Sequence, residues 1–189
     1  MTHVKSHHLP EADKKPSDLL QKLVGLWGVS GVCALLSWAI YRLFSYVAEA
    51  YTQHSWETHH WVFLAVWVPF MLYSEGYRGF QKKFSPRVAA RARYLARHKK
   101  NIRISLLAPP YCMCFFGSSK IRMRTSWILT FIIVCFILLI RLLDQPWRGL
   151  IDLGVVMGLT WGVTSILYYA GWSLIHDAYP CDPETKHDS

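Results

Sequence analysis

Four long runs without a formal charge alternate with charged segments along this chain. A helix rises about 1.5 Å per residue, so runs of this length approach or exceed the roughly 30 Å of a bilayer's hydrocarbon core. The pattern predicts an all-α integral membrane protein with four transmembrane helices. The predicted spans lie at about 23–41, 58–74, 125–141 and 149–175.

The most basic segment lies between the second and third spans. Residues 76–126 hold 13 of the chain's 21 lysines and arginines. Such a segment is normally retained on the cytoplasmic face of a membrane. Residues 76–124 are therefore predicted to form a cytoplasmic loop, and both termini are predicted on the same side. In a bacterium this corresponds to the inner membrane.

Polar tails flank the predicted transmembrane domain. Residues 1–22 form a polar N-terminal tail, residues 23–175 hold the four spans, and residues 176–189 form an acidic C-terminal tail. The chain is 52% apolar and has nine Trp, which is more than a soluble domain of this size easily buries. The three-part organisation and the composition favour the same class of protein.

The basic loop contains a predicted amphipathic helix. Ser85 and Pro86 suit a helix start, and Val88, Ala92 and Leu95 lie along one stripe of the following turns. Four arginines cover the other faces: Arg87, Arg91, Arg93 and Arg97. We expect this helix on the inner membrane surface, where each basic residue contributes about 1 kcal/mol of attraction to anionic lipid. No groove-reading pattern accompanies the charge, so nucleic acid is not expected as a partner.

An uncharged segment at 104–119 has Pro109 and Pro110 in its middle. Paired prolines suit a re-entrant or interfacial segment better than a fifth span. Four spans place 18 basic residues inside and three outside, whereas five spans give 16 and five. Cys112 and Cys114 also lie here, either as half of a soft-metal site or as small packing residues.

The fourth span has a glycine at every fourth position. Gly154, Gly158 and Gly162 therefore lie along one helix face. Small residues in this arrangement let two membrane helices approach closely. The repeat predicts a tight helix contact, either within the chain or with a partner protein or second copy.

Ionisable side chains border the second, third and fourth spans. Glu75 and Arg78 are three residues apart, with Glu75 about 25 Å along a helix counted from Thr58 and so near the inner interface. Asp152 follows Arg148 by four residues, and Arg141 closes the third span. These groups form either interfacial ion pairs or an ion or proton site made of Glu75, Arg78, Arg141 and Asp152.

Three histidines lie between the first two spans, at His54, His59 and His60. Imidazoles at this spacing can bind copper, zinc or haem iron, but they can equally be polar residues at the membrane surface. The spacing matches no complete metal signature. No cofactor is predicted, and a metal or haem site at these histidines is the alternative.

No catalytic motif accompanies the spans, since a nucleotide loop, a nucleophile elbow and a zinc-protease helix are all absent from the sequence. The leading hypothesis is a non-catalytic accessory or scaffold subunit that packs a partner through the glycine-lined fourth helix. A small channel or transporter using Glu75 and Asp152 is the second hypothesis. The third is a metal- or haem-binding redox membrane protein.

Overall fold

The computed structural model describes residues 18–98, 106–176 and 178–183, and no strand occurs among them. The predicted N-terminal tail lies mainly outside these residues. Three helices are long and apolar enough to cross a membrane, namely Leu23–Gln53, Lys120–Ile140 and Trp147–Ile175. The all-α prediction is confirmed, and the three apolar helices are consistent with an integral membrane protein.

Helix α1, Asp18–Gln53, is much longer than the predicted first span. Arg42 does not end it, because the guanidinium group lies over the Trp38 ring at 5.7 Å and apolar residues continue on both sides. At 36 residues the helix is about 54 Å long, well beyond a membrane's apolar thickness. The connection between the first two predicted spans, residues 42–57, is thereby reduced to four residues, 54–57.

Three consecutive helices form one uninterrupted helical segment, which we call the 58–98 segment. They are α2 (Thr58–Met71), a π-helix (Leu72–Phe84) and α3 (Ser85–His98). The backbone stays helical at both joins, with φ/ψ of −67°/−41° at Met71 and −61°/−44° at Ser85. Pro69 lacks an amide hydrogen and crowds the preceding turn, and the wider helix begins three residues after it.

Helix α3 is buried between other helices. Val88 and Leu95 have no exposed surface, and Ala92 contacts α1 at the Gly25 position. A helix enclosed in this way cannot lay its apolar stripe into lipid. The apolar stripe packs against protein because α1 and α3 approach through small residues, whereas the position of α3 on the inner membrane surface stays a prediction.

Helix α4, Ala108–Cys112, is a short turn of helix that packs against α1. A Cβ atom added at Gly31 would lie 2.3 Å from Pro109 Cγ, and one at Gly28 would lie 2.9 Å from Cys112 Sγ. The two glycines of α1 therefore provide the room that this segment occupies. The segment ends at Gly117, whose φ of 70° suits glycine.

The last two helices differ sharply in burial. In α5, Lys120–Ile140, only Ile140 is buried. Helix α6, Trp147–Ile175, packs against α1, α2, the π-helix and α3. The main core lies between α1, α3 and α6 and includes Val32, Val88, Leu159 and Ile166.

Candidate functional site

The glycine face of α6 is filled by the chain's own 58–98 segment. Added Cβ atoms would lie 2.4 Å from a Trp67 atom at Gly154, 3.0 Å from Glu75 at Gly158 and 2.7 Å from Phe80 at Gly162. Gly76 in turn accommodates the Trp161 side chain. The repeat thus coincides with a close contact between α6 and the π-helix and α2 within the chain.

Glu75 lies in the π-helix and reaches the α6 backbone at Gly158. Its Oε2 atom is 3.0 Å from the place where a Cβ of residue 158 would be. Among the described residues, no hydrogen bond or ion pair to this carboxyl group is found. Arg78 is exposed and does not pair with it. In a π-helix, bonding runs from i to i+5, so residues three apart no longer stack as they do in an α-helix.

Asp152 occupies a different side of α6. Its carboxylate is 2% exposed, and its Oδ2 atom lies 4.0 Å from Arg148 Nε. The Arg148 guanidinium lies 3.6 Å from the ring centroid of Tyr46, so the pair is next to α1. Asp152 and Gly158 are six residues apart, about 120° around an α-helix. Glu75 and Asp152 therefore face different helices.

Arg141, the remaining predicted member of an ion site, is exposed at the end of α5. Arg78 is exposed on the π-helix. The structure thus joins only Arg148 and Asp152 as a pair and leaves Glu75 separate from them. The four charged residues singled out in the sequence do not form one connected polar path among the described residues.

His59 and His60 belong to the start of α2, whereas His54 lies in the loop before it. His60 is 6% exposed, and its Nδ1 atom accepts a hydrogen bond of 3.1 Å from the Glu57 backbone amide. His59 Nδ1 lies 3.3 Å from the Glu57 carboxylate, and both imidazole rings pack near Trp147. The buried Nδ1 of His54 has no hydrogen-bond partner in the described part of the chain.

Metal binding gains no geometric support from these residues. Within the described ranges, no three His, Cys, Asp or Glu side chains come together as a metal site. Cys112 is buried, and burial raises the pKa of its thiol to about 12 although the nearby Arg91 charge opposes the shift. A protonated, buried thiol is a packing group rather than a ready metal ligand.

Arg91 is a buried hydrogen-bonding centre that the sequence analysis did not identify. It is 1% exposed and donates to the backbone carbonyls of Tyr111 at 2.8 Å, Phe116 at 3.0 Å and Pro183 at 3.0 Å. Its guanidinium also covers the Tyr111 ring at 4.2 Å. The prediction that Arg91 binds lipid is wrong, because these contacts enclose it. Alanines at positions 89, 90 and 92 were the available signal, since small neighbours permit close helix contact.

Two further arginines of α3 hold the C-terminal residues. Arg93 donates to the Ser173 carbonyl oxygen and, at 3.2 Å, to the Ser173 hydroxyl oxygen. Arg93 and Arg97 also lie on the ring of Tyr179, at 6.0 and 5.7 Å. Burial, together with the neighbouring Arg97 charge, lowers the pKa of Arg93. Residues 178–183 therefore fold back onto α3.

Comparison of the chain with protein-family models, with curated proteins and with solved structures found no match. Its function is therefore inferred from geometry and chemistry alone.

Proposed function

We propose that the protein crosses the membrane four times, with both termini and the basic segment on the cytoplasmic side. The fourth crossing, besides the three apolar helices, is α2 with the first part of the π-helix. Its support is the contact with α6, which begins at His60 beside Trp147 and reaches Phe80 beside Gly162. That contact follows 15 residues of α6, roughly 22 Å.

The 106–119 segment then lies on the cytoplasmic side as an interfacial or re-entrant element. Its helix has five residues and is about 8 Å long, so it is too short to cross. It packs on the N-terminal half of α1, next to the buried Arg91. Arg87, which is half-buried, lies at this side, where anionic lipid is its expected counter-ion. If the organism is a bacterium, the membrane is the inner one.

Within this topology the protein serves as a non-catalytic accessory or scaffold subunit. The supporting observation is α5, of which only 6% of the membrane-length part is buried, compared with 50% for α6. The glycine face of α6 is already filled, so a partner has to use another surface. Helix α5 leaves most of its surface free for a partner helix. It contacts the rest of the chain through residues such as Ser126, whose Oγ atom donates a hydrogen bond to the Met113 carbonyl oxygen.

The partner we assign to α5 is a transmembrane helix of a second membrane protein. Membrane helices associate by side-chain packing, since lipid supplies no hydrophobic driving force between them. Large side chains protrude from one face of α5, including Phe131 at 70% and Leu138 at 55% exposure. Because they are seven residues apart, these two side chains lie on the same helix face and give a partner helix a continuous packing surface.

Co-purification from native membranes tests this function. The tagged full-length protein is extracted in mild detergent, and its companions are identified by mass spectrometry. We expect a membrane protein to co-purify with the wild type and its recovery to fall roughly tenfold for the double variant Phe131→Ala, Leu138→Ala, because about 1.4 kcal/mol of packing is lost. The matched control is Leu174→Ala, an exposed position on α6. A wild-type protein that purifies alone, or only with its own copies, contradicts the proposal.

A small channel or transporter is the second candidate, and Glu75 is the observation that favours it. Ionisable groups inside a membrane bundle are costly and usually functional. Ion flux across the membrane of vesicles that contain the wild type should disappear when the vesicles contain Glu75→Gln instead. Flux that is unchanged in Glu75→Gln and in Asp152→Asn removes this candidate. No contact among the described residues favours a redox role for His54, His59 and His60.

A further inference from the structure

Glu75 occupies a notch that glycine creates in α6. Because residue 158 has no side chain, the Glu75 carboxyl group lies directly against the helix backbone there. Trp161 of α6 packs on the neighbouring Gly76 and donates a hydrogen bond of 2.9 Å to Gln81. The carboxyl group thus lies in the contact between the π-helix and α6. Turns of π-helix occur frequently at functional sites.

The position of Glu75 along α6 places it deep in the proposed crossing. Gly158 follows Trp147 by 11 residues, roughly 16 Å of helix, which is about half of the hydrocarbon thickness. This is deeper than the position near the inner interface expected from counting residues after Thr58. The two counts run along different helices, from Thr58 on the 58–98 segment and from Trp147 on α6.

Charged neighbours are missing from this place in the described part of the chain. On α6, the ionisable group before Gly158 is Asp152, which faces α1 and pairs with Arg148. On the 58–98 segment, Arg78 is exposed to the outside of the bundle. An ionised carboxylate with no partner is expensive in hydrocarbon, whereas a neutral carboxyl group costs far less.

The chemistry of the surroundings decides which ligand suits this group. Hard metal cations take several oxygen ligands, and the described residues bring no group of three ligating side chains together. A proton needs only the one carboxylate. The arrangement therefore fits a proton and does not fit a metal cation.

We propose that Glu75 is a proton-binding site inside the helix bundle and that its protonated form keeps the π-helix packed against Gly158. Loss of the proton places a charge in the notch and weakens the contact between the two helices. This inference rests on the four proposed crossings, which set the depth of the site. It does not depend on whether α5 binds a partner.

Infrared difference spectroscopy of the full-length protein in lipid vesicles tests the proposal. We expect the wild type at pH 7 to show the carbonyl absorption band of a protonated carboxyl group. This band should be absent in Glu75→Gln and should shift in frequency in Glu75→Asp. The control Asp144→Asn, on the exposed outer turn, should leave the band unchanged. A wild-type spectrum without this band overturns the proposal, and labelling with carbon-13 glutamate provides the same reading without any variant.

Thermal unfolding provides the second measurement. The wild type should lose stability as the pH rises from 4 to 8, since the unfolded chain releases this proton at lower pH than the folded protein and the charged form opposes packing. Glu75→Gln, which cannot ionise, should lose less over the same range. Equal pH dependence of the two proteins overturns the coupling between the proton and the helix contact. A wrong topology is detected separately by reporter fusions, so the two failures are distinguishable.

Discussion

Arg91 joins three parts of the chain that are distant in sequence. Its planar guanidinium donates to carbonyl groups of two positions in the 106–119 segment and to Pro183 near the C-terminus. Arginine suits this task because its donors point outward in several fixed directions and it remains charged. The C-terminal residues are therefore part of the fold on which α3 depends.

Replacing Arg91 by methionine should destabilise the protein strongly. Methionine keeps an apolar stem of similar length but leaves the buried carbonyl groups without their donor, at a cost of about 3 kcal/mol. We expect a decrease in the unfolding temperature of roughly 5–10 °C, measured by tryptophan fluorescence in detergent. The matched control is Arg78→Met, an exposed arginine on the same helical segment. Similar losses in both variants would contradict the role of Arg91.

The Cys112 thiol should resist alkylation in the folded protein. Burial raises its pKa from 9.0 to about 12, so the reactive thiolate is roughly a thousandfold rarer at neutral pH than for an ordinary cysteine. Since the folded pKa is raised, reactivity increases only as the pH approaches 12. Mass mapping after maleimide treatment at pH 7 should find Cys181, which is half-buried, modified before Cys112. Rapid labelling of Cys112 without unfolding would show that α4 does not pack as described.

The glycine repeat of α6 illustrates which contacts a sequence reveals. A repeat of small residues at every fourth position indicates a tight helix contact, because small side chains let two membrane helices approach closely. It does not identify the opposing helix. That choice depends on the π-helix, which brings Glu75 and Phe80 into line with Gly158 and Gly162. No residue pattern in 72–84 distinguished this geometry from an α-helix.

Added methyl groups should separate the helices only where the contact is close. Gly162→Ala places a Cβ 2.7 Å from the Phe80 ring and should cost about 1–3 kcal/mol through overpacking. Gly171→Ala is the matched control on the same helix, since nothing lies within 4 Å of its Cβ. Unfolding temperatures of the two variants provide the comparison. Equal stability would show that the packed face of α6 is not where the structure has it.

The helical class and three apolar helices were predictable because charge-free runs of membrane length are a strong signal. The extent of α1 was not, because Arg42 reads as the end of a span although its stem and head group lie along Trp38. The burial of α3 was also missed, since four arginines in one helix normally indicate a solvated or lipid-facing surface. Arg91 is buried because carbonyl groups from distant segments accept its hydrogen bonds. Sequence spacing does not reveal such partners.

Reporter fusions should verify the orientation of the chain. A reporter active only in the cytoplasm, fused after residue 99 or at the C-terminus, should be active. One active only outside should work at positions 55 and 145. A reversed result at the C-terminus with an unchanged result at residue 99 would indicate a fifth crossing by 104–119. Reversal at both positions with an unchanged result at position 55 would show that α2 does not cross.

The uninterrupted 58–98 segment has a mechanical consequence. No loop separates His60, beside Trp147, from Arg91, which holds Pro183, and the continuous helix between them is on the order of 45 Å long. A rotation imposed at either end must be shared by the other or absorbed at the wide turns between Leu72 and Phe84. A change at the start of α2 can therefore reach residues 178–183 through the backbone of one continuous helix.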